Sequence, residues 1–434
     1  MNRRGIALFL AVAMTLSLCV VSVLAAGQTE ETPVASETQG IAETAAPDTA
    51  PAPESPEGSA EAAEPAASGE TQSSPVGTLS FDNLERRLRE GNCNLLALDE
   101  TIASIEALDY DEMYDDLRDS LNDIADAQWM LIQFGMSDSY TAGTLKQSYQ
   151  SLRDTFDSLK DGELQQDNAD IVLQLRNAQD QIVKAAESLY VALLEMDINR
   201  GTLDRSLTAL DRSIQEMELR YELGQISALT LDQVKAGRPS LLSSQATLDM
   251  NITNYNMQLE LMIGADLTGK MVLQPLPEVP QARLDAMDLE ADLTAAREAS
   301  YDLYAAQKTL EDAEEDYKDT AKDYHYDTSK YQLVSAQHTY NATIQNFEMN
   351  FRTLYMQVKD YQQILSASRA ALSSQEATYA SLQLKYEQGN LSQNALLDAA
   401  DQVSAAQESV EKAELDLFSA YNSYCWAVEH GILN

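Results

Sequence analysis

The chain has 434 residues, and its 70 Asp and Glu residues outnumber its 29 Lys and Arg residues to give a formal net charge of −41 at pH 7. This excess excludes nucleic acid and anionic membrane surfaces as partners, because like charges repel. Gly-rich phosphate loops, a Cys–His pair and a Ser-centred nucleophile motif are missing from the sequence, and the three histidines show no ligand spacing. We therefore expect no enzyme activity, no cofactor and no metal site.

The first 26 residues are typical of a secretory signal peptide. Arg3 and Arg4 precede an apolar run from Ile6 to Leu24, and small residues follow at Ala25 and Ala26. The sequence therefore predicts an exported protein of the cell envelope.

Two alternatives stay open for this segment. It can be a lipoprotein signal modified at Cys19, or an uncleaved anchor, since the apolar run is close to the ~20 residues that span a bilayer. Both alternatives also export the chain.

Residues 27–77 form a linker of Ala, Glu, Pro, Ser and Thr. The tract from Gln28 to Pro75 holds seven of the eleven prolines and has no Lys or Arg. Such a composition cannot bury enough apolar surface to offset its ordering entropy, so we expect a disordered spacer.

The remainder of the chain carries apolar residues at a period of seven, which is the pattern of supercoiled helix packing. The first run is Leu175, Ile182, Leu189, Met196, Leu203, Leu210 and Met217, and the second is Ile344, Phe351, Val358, Leu365, Leu372, Tyr379 and Tyr386. Near the C-terminus a row of small residues has the same period: Ala399, Ala406, Ala413, Ala420 and Ala427. This row predicts a close helix–helix contact.

Two similar eight-residue stretches, Arg220 to Ser227 and Lys385 to Ser392, share Tyr, Glu, Gly and Ser at the same offsets. In each copy a Gly follows a long periodic run and a Ser comes three residues later. These residues are typical of a left-handed helix C-cap and of the N-cap of a returning helix. The fold class predicted from these patterns is all-α, with long antiparallel coiled-coil hairpins in two tandem repeats.

Breaks in the seven-residue apolar pattern set the predicted boundaries of the helices and of the two repeats. Pro239 is expected to kink the helix after the first turn, and Leu267 to Pro280 reads as a linker between the halves. We predict reversals near Lys322 to Lys330 and within Gly135 to Asn168. The repeats are assigned to residues 78–274 and 288–434, joined by residues 275–287.

The paired Tyr-x-x-Gly-x-x-Ser turns resemble the hairpin tips of the TolC-like outer-membrane efflux family. Residues 84–95 and 293–303 are similar to the starts of the family's repeats, and residues 251–264 and 417–431 to their ends. The resemblance spans about residues 79–433.

The resemblance implies a trimer, in which three copies form a helical conduit whose tips dock the adaptor (membrane-fusion) protein of an inner-membrane pump. Asp398, nine residues after the second Gly, lies where the family can place an acid that narrows the pore; Gln233 takes that place in the first repeat. The docking residues implied are Tyr221, Leu223, Gly224, Ile226, Ser227, Tyr386, Gln388, Gly389, Leu391 and Ser392.

The family inserts two membrane strands into each repeat, and this sequence departs from that pattern. A membrane strand needs roughly 9 to 11 alternating residues. Thr144 to Lys160 reads instead as a helix, and Lys322 to Lys330 is too short and too polar. We therefore expect a TolC-like helical barrel without the membrane β-barrel. The location is then extracytoplasmic or wall-associated, and it is the outer membrane only if barrel strands exist.

The exported chain retains two cysteines, Cys93 and Cys425, which can pair in an oxidising compartment. The resemblance places both near the middle of the tube.

Two functions stay open from the sequence. The first is a TolC-like component of an export system, and the alternative is a non-conducting structural spacer or scaffold of the envelope. The matched turns favour the first function, whereas the missing strands favour the second.

Overall fold

The structure is a computed structural model, and it describes residues 78–136, 140–320 and 326–433. The predicted signal peptide and linker lie outside these residues. The elements in chain order are β1 (Thr78–Leu79), α1 (Phe81–Gly91), α2 (Cys93–Glu106), α3 (Tyr110–Gln133), α4 (Tyr140–Asp161), α5 (Glu163–Glu222), α6 (Ala228–Lys235), α7 (Gly237–Met262), β2 (Val272–Leu273), α8 (Gln281–Asp285), α9 (Leu289–Ala299), α10 (Tyr301–Thr320), α11 (Tyr326–Glu387) and α12 (Gln393–His430).

Helical hairpins dominate this part of the chain, so the predicted all-α fold is confirmed. Helix α5 packs against α7, and α11 packs along α12. Two further pairs are α3 with α4 and α10 with α11. At 1.5 Å per residue the two longest helices, α5 and α11, are each roughly 90 Å long.

The two halves repeat one construction at the point where the last helix of each ends. A Cβ atom on Gly264 would lie 2.3 Å from the carbonyl oxygen of Gly91, and one on Gly431 would lie 2.3 Å from Cα of Ser300. Because glycine has no Cβ atom, the end of the last helix in each half can contact the break between the first two helices of the same half. Gly264 makes this contact at Gly91, and Gly431 makes it at Ser300. This matched contact supports a duplicated unit.

A short parallel β-pair joins the beginning of the described chain to the segment between the repeats. Thr78 pairs with Val272, and Leu79 pairs with Leu273. The hydroxyl of Tyr190, which is fully buried, donates to two carbonyl oxygens at the end of the pair, at 3.1 Å from Leu79 and 2.5 Å from Gln274. Burial raises the pKa of Tyr190 to about 12, so the phenol stays protonated as this donor.

The core follows the predicted seven-residue rows most closely in the second half. Phe351, Val358 and Leu365 of α11 are buried, and they share a cluster with alanines of α12. Ala399, Ala413, Ala420 and Ala427 are buried and Ala406 is half-buried, as the predicted close contact requires. In α5 the predicted row beyond Leu175 is only half-buried, and the fully buried residues are Val183, Ala186, Tyr190 and Leu193.

Helix breaks occur close to the predicted positions. The helix after the first turn is interrupted at Ala236, between α6 and α7, where the Pro239 ring would clash with the Lys235 carbonyl. Gly135 ends the turn after α3, and Gly162, with φ of +85°, separates α4 from α5. The predicted helix over Thr144 to Lys160 is confirmed within α4. The second predicted reversal, near Lys322 to Lys330, lies partly on residues 321–325, which are outside the described residues, and its remainder belongs to α11. Helix α10 packs against α11.

Buried polar groups tie the C-terminal end of α12 to α5. Glu187 Oε2 accepts hydrogen bonds from Trp426 Nε1 at 2.6 Å and from Asn422 Nδ2 at 2.7 Å. Burial raises the pKa of Glu187 despite these bonds. Lys184 donates to the carbonyl oxygen of Ile432 at 3.2 Å, and burial lowers the pKa of Lys184 to about 8. The two repeats are therefore joined by a desolvated polar contact as well as by apolar packing.

We expect Ala427→Leu to lower the free energy of unfolding by about 1–3 kcal/mol, because a larger side chain cannot fit at a fully buried helix contact. The matched control is Ala405→Leu, which makes the same change at an exposed position on the same helix. Urea unfolding followed by circular dichroism compares the two. Equal stability of the variants would show that the alanine row is not a close contact.

The contact between His430 and Asp180 predicts a pH-dependent contribution to stability. His430 Nδ1 lies 2.9 Å from Asp180 Oδ2, and this hydrogen bond is the main cause that raises the pKa of His430 above its usual 6.5, with burial opposing it. The charges of Asp180, Glu429 and Glu85 add to the increase. Because the folded pKa lies above the unfolded pKa, the stabilisation is complete below the unfolded value and is lost as pH rises through the folded value.

The free energy difference between the wild-type chain and His430→Gln should therefore shrink as pH rises from 5.5 towards 9. Urea midpoints at several pH values measure it, with His338→Gln as the control at an exposed histidine. A difference that stays constant with pH would contradict this assignment.

Candidate hairpin-tip interface

The first predicted tip is a helix C-cap followed directly by a helix N-cap. Gly224 has φ of +69°, its N–H donates to the Tyr221 carbonyl at 2.9 Å, and the Gln225 N–H donates to the Arg220 carbonyl at 2.8 Å. These two bonds are the Schellman motif, which needs a left-handed residue at its centre. Ser227 then caps α6, because its Oγ accepts from the Thr230 N–H at 3.2 Å.

The second tip repeats the first bond for bond. Gly389 has φ of +75°, its N–H donates to the Tyr386 carbonyl at 2.8 Å, and the Asn390 N–H donates to the Lys385 carbonyl at 2.9 Å. Ser392 Oγ accepts from the Ala395 N–H at 3.2 Å and caps α12. The sequence reasoning about both turns is confirmed at the level of the backbone.

Apolar side chains on and around the tips are exposed. Leu223 has 63% and Leu229 has 68% of its surface exposed, although Leu231 close by is buried. Tyr221, Tyr386, Leu219 and Leu384 are exposed as well. The remaining predicted docking residues are exposed or half-buried: Gly224, Ile226, Ser227, Gln388, Gly389, Leu391 and Ser392.

Sequence reasoning missed Leu219, Leu229 and Leu384. All three lie off the seven-residue rows and within five residues of a tip Gly. The sequence did contain a signal for them, because an apolar residue outside the seven-residue rows and next to a glycine turn has no place in the predicted core.

Contacts between α5 and α12 hold the two tips side by side. Asn394, two residues after Ser392, donates to Glu216 Oε2 on α5 at 3.0 Å. Farther along, the guanidinium groups of Arg212 and Arg205 form ion pairs with Asp401 and Glu408. The turns of the two repeats therefore form one composite surface, which we call the tip surface and define as residues 219–229 and 384–394.

Asp398, which the resemblance assigned to a pore constriction, lies on α12 beyond the tip surface and is exposed. Gln233 is exposed at the corresponding place after the first tip. The carboxylate is therefore on the solvent side of the isolated chain, and its role in a pore stays a prediction.

Cys93 and Cys425, which the sequence allows to pair, are both free in the structure. Cys93 is exposed at the start of α2. Cys425 is half-buried on α12, where burial raises the pKa of its thiol while a hydrogen bond with Tyr421 acts in the opposite direction. The two thiols thus have different surroundings, and their pairing in an exported protein stays a prediction.

A half-open cleft of 1020 Å³ lies between the inter-repeat segment, α5, α11 and α12. Leu194, Pro275 and Leu365 are among the residues of its wall. Arg369 spans it by donating to Glu278 at 3.2 Å and to Glu414 at 2.7 Å. These ion pairs fasten the inter-repeat segment to the second hairpin, so we interpret the cleft as part of the repeat junction.

The described residues show neither a metal site nor a membrane-spanning helix. Over residues 78–136, 140–320 and 326–433, no group of three or more His, Cys, Asp or Glu side chains is placed to hold a metal ion. Over the same ranges, none of the helices has the length and apolarity that crossing a membrane would need.

No protein-family model matches the sequence, and no curated protein does. The chain is similar to the crystal structure of the CmeC outer membrane channel of Campylobacter jejuni, with 13% identity over 65% of this chain and 68% of that chain and a TM-score of 0.49. It is also similar to the outer membrane protein VceC of Vibrio cholerae (12% identity, 80% and 96% covered, TM-score 0.45). A third similar structure is the open state of the MtrE outer membrane channel of Neisseria gonorrhoeae (11% identity, 81% and 89% covered, TM-score 0.42).

Proposed function

We propose that this protein is a component of an envelope export system. Three copies form a helical conduit, and the tip surface docks an adaptor protein that connects the conduit to an inner-membrane pump. The observation that carries the proposal is the tip surface itself, in which two turns with the same capping bonds lie side by side and expose apolar side chains.

The energetics of the tip surface favour a binding role. Each exposed leucine forgoes roughly 1.5–3 kcal/mol that burial would provide. A turn of this kind needs only its Gly and its capping Ser, so Leu223 and Leu229 add nothing to its formation. Clustered apolar side chains with a polar rim are typical of interfaces between proteins.

Apolar surface along the long helices supports assembly with further copies. In α5, Ile182, Leu189 and Met196 stay half-buried, although their row continues without interruption. On α11, Met349 and Met356 are exposed at a spacing of seven, and Ile364 follows eight residues later. Side-by-side packing of identical helical hairpins would cover such stripes, and the closed ring that results is a common symmetric assembly.

The first test changes the tip glycines. We expect Gly224→Val with Gly389→Val to abolish adaptor docking and leave helicity unchanged, because a β-branched residue at φ near +70° strains each turn by roughly 1–2 kcal/mol or more. Docking is measured by photocrosslinking from Leu223 and Gln388 in the envelope of the producing cell, with mass spectrometry of the cross-linked protein.

Two matched controls separate docking from stability. Gly135→Val places the same strain at φ of +70° in a different hairpin turn, and Gly224→Asn with Gly389→Asn supplies a residue that tolerates the left-handed region. Both should keep the cross-link. Retention of the cross-link by the double Val variant would contradict the docking role, and the absence of any cross-linked adaptor in the wild-type chain would favour a structural spacer.

A further inference from the structure

The two repeats meet along α5 and α12, and one row of α12 residues on this contact has a spacing of seven. Its members are Asn394, Asp401, Glu408, Leu415 and Asn422. All except Leu415 form a hydrogen bond or an ion pair with α5, whereas Leu415 packs in an apolar cluster with Val191. The repeats are therefore joined along a periodic row that is mainly polar.

A periodic contact of this kind does not define one alignment of the two helices. If α12 moved along α5 by seven residues, or about 10 Å, the same row would face α5 again. In one direction Glu408 would replace Asp401 opposite Arg212. In the other direction Asp401 would replace Glu408 opposite Arg205. Either shift re-forms one ion pair, so the ion pairs alone do not select the observed alignment.

The buried carboxylate of Glu187 on α5 is more selective, because it needs two particular donors on α12. Glu187 is only 9% exposed, and its Oε2 accepts hydrogen bonds from Trp426 Nε1 at 2.6 Å and from Asn422 Nδ2 at 2.7 Å. Both donors are provided by α12, and both are satisfied in the observed alignment only if Glu187 stays opposite them.

A shift of seven residues in either direction removes this arrangement. After the first shift Glu429 would take the place of Asn422, which brings two carboxylates together beside α5. After the second shift Leu415 and Ser419 would lie opposite Glu187, and these two side chains offer at most one donor. A buried charge without its partners is strongly unfavourable, so Glu187 is compatible with the observed alignment and not with its neighbours.

Lys184 adds a second buried contact, at the end of α12. It lies one turn before Glu187, is 8% exposed, and donates to the carbonyl oxygen of Ile432 at 3.2 Å. Gly431 ends α12 directly before Ile432, and a cation near a helix C-terminus is favoured by the helix dipole. Because α12 has only one C-terminus, this contact also exists in one alignment only.

We propose that Glu187 and Lys184 are positioning residues, which fix the register of the second hairpin against the first and so keep the two tip turns level. Along α5, Glu187 is roughly 55 Å from Gly224, and along α12, Asn422 is roughly 50 Å from Gly389. These nearly equal lengths bring the turns side by side. A shift by one heptad would offset them by about 10 Å and divide the tip surface.

The register is a property of one chain, whereas its importance for adaptor docking rests on the proposed function. The experiment therefore measures a distance within one chain. Spin labels at Gln215→Cys and Ser409→Cys, both exposed positions, report the place of α12 along α5 by double electron–electron resonance. The background is Cys93→Ser with Cys425→Ala, and an excess of unlabelled chain removes distances between copies. The otherwise unchanged chain should show one distance population.

The deciding variant makes the buried contact apolar on both helices: Lys184→Met, Glu187→Leu, Asn422→Leu and Trp426→Phe. We call it the apolar variant. Changing all four residues together leaves no side chain of the contact unpaired, and such exchanges are often neutral or stabilising. We expect unchanged helicity and a urea midpoint at or above that of the wild-type chain. We also expect a second distance population displaced by several ångströms, which loss of a merely stabilising contact would not produce.

Two further variants make the test specific. Arg212→Met with Asp401→Leu removes a more exposed ion pair between the same helices, with side chains 25% and 34% exposed, and should keep one population. Glu187→Gln keeps an acceptor for Trp426 and should keep one population as well.

Three outcomes would overturn the proposal. A single distance population in the apolar variant would show that other contacts fix the register. Loss of helicity in that variant would assign the buried contact to stability instead. A second population in the Arg212→Met, Asp401→Leu variant would place the register in the exposed ion pairs. Each result is obtained without an adaptor, so it is separate from the test of docking.

Discussion

Helices as long as α5 and α11 can persist only if something covers their apolar rows along most of their length. An isolated helix gains little stability from its own hydrogen bonds, so packing must supply the rest. This protein meets the constraint by reversing the chain with a left-handed Gly and packing the return helix on the outgoing one. The turns at Gly224 and Gly389 therefore set the direction of the return helices and also form part of the surface. In α11 and α12 the alanine row brings the axes close, whereas in α5 the row stays half-covered.

Much of this architecture could be predicted from local sequence. A seven-residue period, a Gly followed three residues later by Ser, and a Pro inside a helix each act within a few residues, and the turns and the break near Pro239 occur as expected. Contacts between residues far apart in sequence could not be predicted in this way. The β1–β2 pair has two residues in each strand, too few for a periodic signal, and the burial of Lys184 and Glu187 depends on α12, more than 200 residues away. The pairing of Cys93 with Cys425 is open for the same reason, since composition and compartment say nothing about proximity.

The duplicated halves differ at their ends, and these differences guide the functional interpretation. The tips have the same backbone but not the same side chains, because Leu223 in the first stands where Gln388 stands in the second. The reversals differ more strongly, with an uncharged apolar end after α3 and a charged segment after α10. Duplication explains the shared helices and caps, so the side chains that differ are the candidates for separate binding tasks.

Assembly is the central claim of this account, because a conduit cannot be formed by one copy of two hairpins. The most direct test is sedimentation equilibrium of the exported chain in detergent-free buffer over a range of protein concentrations. We predict a mass of three chains, with Met349→Glu and Met356→Glu together shifting it towards one, since both residues lie on the exposed stripe of α11. A wild-type chain that stays a monomer at all concentrations would contradict the conduit and favour a structural spacer.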